Sequence, residues 1–164
     1  MESKNSIAAP VSGSDARSRA GAGRDFDIVP DPSGLTRLWA RGKTLQDLFR
    51  ACLAASAECA YPWLSGRAPR GARAVSGVRI QAVDLSSLLV EFLSEALAQG
   101  ERAGAVFSSA EFRAFGENFL EGEIAGAAVP EDRAPEIRGV MYDTVEVKKN
   151  PETGLFEATL TLEA

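Results

Sequence analysis

Histidine is absent from this sequence of 164 residues. With it go the commonest metal ligand and the usual general base near neutral pH, which argues against hydrolase triads and the usual zinc sites. Cysteine is scarce. Cys52 and Cys59 stand seven apart within a helical pattern, so they share a face but lie too far along the axis to bond to each other or to pinch an ion. They read as two small core residues. Long apolar runs are missing too: nothing approaches the roughly eighteen residues of a membrane span. The N-terminus has neither a charged-then-apolar layout nor a small-residue cleavage site. The expectation is a cytoplasmic protein with no membrane partner. Arg41-Gly42-Lys43-Thr44 ends like a phosphate-binding loop, but position 37, where such a loop needs its first glycine, holds arginine. The serines have no histidine and no Gly-x-Ser-x-Gly elbow. The sequence therefore does not read as an enzyme in its own right.

What remains is a hydrophobic content of 45%, enough over this length for one domain with a real core. Charge is unevenly spread. Residues 1–24 carry Lys4, Arg17, Arg19 and Arg24 against Glu2 and Asp15, or +2; the chain's −5 less this +2 leaves −7 on the body. Neutralising phosphates needs a basic surface, so an acidic body suits a protein partner and, at most, indirect contact with RNA. The same first 24 residues are rich in Ser, Ala, Gly and Arg without apolar periodicity, and are expected to form a disordered tail ahead of a domain over 25–164. Arg67, Arg70, Arg73 and Arg79 fall among glycines and prolines between Cys59 and Val83, with no acid, and read as a solvated loop.

Phe26-Asp27-Ile28-Val29 and the alternation of Thr36, Leu38 and Ala40 with charged or aromatic neighbours predict two strands about a Pro-Asp-Pro-Ser-Gly break. Thr44 with Asp47 is a helix start, followed by a stripe of Leu45, Leu48, Phe49, Cys52 and Leu53 that ends before Pro62. Val78, Ile80 and Ala82 alternate as a strand. Asp84 caps a second amphipathic helix, which Gly100 is expected to stop. The remainder has β character: Val106 to Phe115, Leu120 to Ile124, Ile137 to Val147, and a last strand with Phe156, Ala158, Leu160 and Leu162 on one side. Lys149 to Gly154 is a hairpin loop. Two amphipathic helices amid six or seven strands, several successive ones lacking helical crossovers, indicate an α+β fold, helices packed on antiparallel-rich sheet. The carboxylates of Asp31, Asp143 and Glu163 are the remaining candidates for chemistry, since hard cations accept oxygens alone.

The order of segments resembles the archease family. Phe26-Asp27-Ile28-Val29, then Gly42-Lys43-Thr44-Leu45-Gln46-Asp47-Leu48-Phe49, is similar to that family's opening strand and Gly-Lys-Thr-Leu-Glu-Glu-Leu-Phe helix entry. Val83 to Glu95 is similar to its second helix, Arg138-Gly139-Val140-Met141-Tyr142-Asp143 to its Lys-Ala-x-Thr-Tyr-His strand, and Ala158 to Ala164 to a final strand ending in Asp plus one residue. The resemblance implies an accessory protein that helps a GTP- and manganese-dependent RNA-splicing ligase complete its guanylation and turn over, in tRNA splicing or RNA repair. It also implies a metal site that pairs the Asp of a His-Thr-Ala-Asp motif with the Asp near the C-terminus and the residue after it.

This sequence departs from that pattern. Anchored on Gly42-Lys43-Thr44, the four motif positions are Pro32, Ser33, Gly34 and Leu35, so the family's His and ligand Asp are both replaced. Glu163 and Ala164 keep the C-terminal positions, Arg138 stands for the lysine before the tyrosine strand, and Asp143 for the histidine after it. The expected metal residues are therefore Asp31, Glu163 and Ala164, holding calcium or another divalent cation weakly or not at all; Arg138 and Asp143 are expected to contact the partner ligase. Two alternatives stay open: a metal-free adaptor, and a small-molecule-binding scaffold on the same fold.

Overall fold

Both helix starts follow from local hydrogen bonding. The Thr44 hydroxyl accepts the Asp47 N–H at 3.0 Å and the Asp84 carboxylate accepts the Ser87 N–H at 2.8 Å; each satisfies a donor that the first helical turn leaves orphaned. The structure, a computed structural model, describes residues 25–64, 70–141 and 145–164. In chain order the elements are β1 (Phe26–Pro30), β2 (Leu35–Gly42), α1 (Leu45–Ala60), a 3₁₀ turn (Pro62–Leu64), β3 (Arg73–Gln81), α2 (Leu85–Ala103), β4 (Ala105–Phe115), β5 (Phe119–Ala128), β6 (Gly139–Val140), β7 (Glu146–Lys149) and β8 (Phe156–Glu163).

Every strand pairing is antiparallel. One sheet has the order β1-β2-β8, with β6 and β7 sharing the far side of β8; the other has the order β3-β5-β4. Leu38 faces Ile28 on one side and Leu160 on the other, and Ala40 faces Phe26 and Ala158, so one face of the first sheet is continuously apolar. Helix α1 lies between the sheets, against β2 and β4. That position explains its composition: Ala51, Ala55, Ala57 and Ala60 are buried along with Leu48, Phe49 and Leu53, as a helix covered on several sides requires. Helix α2 lies on the three-stranded sheet, and Phe49, Phe92, Phe112 and Phe115 join α1, α2 and β4, with ring centroids 5.0–5.8 Å apart. Cys52 and Cys59 are free and buried, as their spacing indicates.

The expected α+β architecture is present, with several local differences. Gly100 does not end α2; the helix runs on to Ala103 and stops at Gly104, whose φ of 62° is left-handed. Gly100 is there because a Cβ would stand 2.6 Å from the Ala105 carbonyl oxygen. The segment read as one strand from Ile137 to Val147 is two short strands, which brings the described strands to eight. Arg73 and Arg79 are not on a loop: β3 begins at Arg73, paired with Ala127, and Arg79 faces Glu121 at 3.0 Å. The proposed tail, residues 1–24, lies outside the described residues, as does Arg67. Among the described residues no helix is long and apolar enough to cross a membrane.

Candidate site at the end of the larger sheet

The β1–β2 connection is built for a tight turn. Asp31 occupies the first position, Pro32 supplies the fixed φ of the second, and Gly34, with φ of 93°, takes the conformation that L side chains rarely adopt. The Gly34 N–H donates to the Asp31 carbonyl at 3.0 Å and the Asp31 N–H to the Leu35 carbonyl at 2.8 Å. Within the turn the Asp31 carboxylate accepts the Ser33 N–H at 2.8 Å, the Asx arrangement that makes Asp a turn residue. That backbone hydrogen bond, then the Ser33 hydroxyl, and the charge of Arg37 hold the Asp31 carboxyl below its ordinary range.

Long-range pairing then sets this turn beside the chain's last strand. Leu35 is the Cα partner of Glu163, and Glu163 is the partner of Gly139 on its other side. The Arg138 N–H donates to the Glu163 carbonyl at 2.6 Å. Asp31 in the turn, Leu35 on β2, Glu163 on β8 and Gly139 on β6 thus lie abreast. Asp31, Glu163, Ala164 and Arg138 are all exposed. Of the expected site residues, Asp31, Glu163, Ala164 and Arg138 are brought to one end of one sheet, and Asp143 lies outside the described residues. The two positions that the resemblance pairs as ligands of one ion, 35 and 163, are cross-strand neighbours.

The donor set does not fit a divalent cation. Calcium takes about six to eight oxygens converging at one point, whereas Asp31 and Glu163 sit two strands apart, or about 10 Å between Cα atoms, with the apolar side chain of Leu35 on the strand between. Among the described residues no group of three or more Cys, Asp or Glu side chains is placed to hold an ion. The cysteines offer no substitute: burial pushes both thiols up, Cys59 to about 12, and the thiolate is the form that binds metal.

A second feature was not legible beforehand. An open cleft of about 860 Å³ runs along the start of α1, with Arg41, Lys43, Asp47, Arg50 and Ser109 on its walls. Gly42 shapes it, because a Cβ there would lie 2.5 Å from the Leu48 nitrogen; the helix can approach β2 this closely only over glycine. The Gly-Lys-Thr run is accounted for locally by this close approach at Gly42 and the N-cap at Thr44, with Lys43 exposed between them. Arg41 lies 3.8 Å from Asp27 and 4.3 Å over the Trp39 ring, and Arg50 bonds Asp47 and the Ala110 carbonyl. Both guanidinium groups have partners within the fold, so the cleft wall is not a bare cationic surface.

Comparison with known proteins gives the fold a context. A family model described as the Archease protein family (MTH1598/TM1083) matches residues 36–162. Among solved structures, protein 1598 of Methanobacterium thermoautotrophicum superposes with a TM-score of 0.62 at 19% identity, covering 85% of this chain and 99% of that one. An archease of Thermotoga maritima, described as a possible chaperone, superposes with a TM-score of 0.55 at 8% identity, covering 78% and 89%. No curated protein matches the chain. With the family model spanning most of its length and the same fold in both structures, this chain belongs to the archease family.

Proposed function

We propose that this protein is a cytoplasmic accessory factor of a GTP-dependent RNA-splicing ligase, acting in tRNA splicing or RNA repair and carrying out no reaction itself. The observation that carries the reading is the meeting of three remote segments at one end of the larger sheet: the Asp31 turn, Glu163 with Ala164, and Arg138. These are the segments through which the resemblance expects action on a partner. Family membership supports it, and the description of the Thermotoga protein as a possible chaperone fits a role exerted on another protein. The acidic body favours a basic protein surface over direct binding of RNA.

With the cognate ligase limiting, added protein raises the number of ligations each ligase molecule completes, while the protein alone neither joins RNA nor hydrolyses GTP. Glu163→Ala reduces the stimulation and leaves the melting temperature nearly unchanged, because an exposed substitution stays within about 0.5 kcal/mol. Multiple-turnover kinetics that do not respond to the protein rule the reading out.

A further inference from the structure

We infer that the end of the sheet where Asp31, Leu35 and Glu163 lie abreast does not hold a divalent cation of its own, and that Leu35 is the residue that withholds it. The family resemblance implies an ion at this place, and the residues present disagree with it for three reasons. The Asp31 carboxylate is already committed to its own turn through the Ser33 N–H at 2.8 Å. Swinging it toward Glu163 gives up that bond and the turn geometry that Pro32 and Gly34 fix.

The position that could supply a neighbouring carboxylate is Leu35. Cross-strand partners carry Cβ atoms about 4.5–5.5 Å apart on the same face, so a carboxylate at 35 would stand beside Glu163 at chelating distance, which Asp31, one strand further out, does not. On the opposite side the partner of Glu163 is Gly139, which has no side chain to offer, and the backbone oxygen of Glu163 already accepts the Arg138 N–H in the sheet ladder, which leaves it one lone pair and no charge to bring to an ion. Glu163 is left as the single side-chain carboxylate at the centre of the row. Affinity in hard-cation sites rises with the number of charged ligands, and one side-chain carboxylate, even with the main-chain oxygens of Ala164 beside it, belongs at the weak end of that scale. This inference concerns the chain alone and stands apart from the identity of its partner.

Titration calorimetry with calcium and with manganese, on the full chain without ligase, tests it. The unaltered protein shows no saturable binding tighter than about 10⁻⁴ M. Leu35→Asp tightens binding about tenfold or more and gives a calcium-dependent rise in melting temperature, and adding Glu163→Gln to Leu35→Asp removes both. Binding by the unaltered chain tighter than about 10⁻⁴ M overturns the inference, whatever the variant does. A Leu35→Asp protein with unchanged circular dichroism and no gain in affinity overturns the role given to Leu35.

Discussion

Arg50 on α1 donates its Nε to the carbonyl of Ala110 on β4 at 2.9 Å, sixty residues further along the chain. β4 has one strand partner, β5, among the described residues, and β3 likewise pairs with β5 alone. An open edge offers free backbone groups to any passing strand. On the β3 edge, Gln99 of α2 plays the corresponding part: its Nε2 donates to the Gly77 carbonyl at 3.2 Å and its Oε1 accepts the Ser76 hydroxyl. Each helix thus sends one long polar side chain to an edge of the three-stranded sheet.

Removing these side chains should cost more solubility than the lost stability accounts for. Arg50→Ala forfeits the charged hydrogen bond to the Ala110 carbonyl, about 1.5–3 kcal/mol, and the exposed one to Asp47, which contributes little more. Gln99→Ala costs about 1 kcal/mol. The double variant should scatter light on heating well before a control variant destabilised to the same degree in the core. Equal scattering by the two would show that the edges are protected by something else.

Gly42 offers a sharper test of the strand-to-helix turn. In Gly42→Ala the new methyl meets the backbone of Asp47 and Leu48 at 2.5–2.9 Å, and backbone cannot step aside as a side-chain tip can. Overpacking of this kind costs about 1–3 kcal/mol. Lys43→Ala beside it is exposed and should be neutral within about 0.5 kcal/mol. Urea denaturation of the two variants should therefore differ clearly; the same midpoint for both would mean that α1 does not press on β2 as described.

What could be read from the sequence was what local chemistry decides. Thr44 and Asp84 announce the helices, and alternation announces Phe26 to Gly42 and Phe156 to Glu163. The turn at Asp31 was visible in its Pro, Ser and Gly neighbours, but its partner across the sheet was not. Register is decided by pairing between strands more than a hundred residues apart, so no local pattern near Leu35 reveals that Glu163 lies opposite; only the family resemblance, which assigns both positions to one site, brings them together. The same reason hid the beginning of β3: Arg73 to Gly77 has the local composition of a loop, and pairing with β5 overrides it.

Gly100 was misjudged because its reason is a contact from outside the helix. Gly100→Ala gains about 0.8–1 kcal/mol of helix propensity, yet the methyl falls 2.6 Å from the Ala105 carbonyl, a clash worth about 1–3 kcal/mol. Gly104→Ala meets no atoms and costs about 1–2 kcal/mol for its left-handed φ alone. Both should lower the melting temperature by about 2–4 °C per kcal/mol. A Gly100→Ala protein more stable than the parent would show that the Ala105 carbonyl gives way to the methyl and that helix propensity alone decides this position.

Acid should weaken the fold in two steps. Glu121 is held below its ordinary 4.5 chiefly by Arg79, with Arg113 assisting; Asp84 and Asp31 are held below 3.8 chiefly by the backbone N–H groups of Ser87 and Ser33. A carboxyl depressed in the folded state binds protons more readily when unfolded, so its stabilisation is complete above the unfolded value and is lost as pH falls through the folded one. Glu121 should begin to lose its contribution near pH 4.5 and the aspartates near 3.8. Asp84 and Asp31 are exposed and Glu121 is half-buried in an ion pair open to solvent, so each step is small. Salt separates them: the Arg79–Glu121 attraction is screened, whereas the hydrogen bonds at Asp84 and Asp31 are short-range and survive. Glu121→Gln should flatten the earlier part of the stability curve in dilute buffer and change little in high salt. Asp84→Asn keeps a capping oxygen at neutral pH and should flatten only the later part, with or without salt. Urea midpoints measured across that range check both, and a first step untouched by salt would remove the ion pair as its cause.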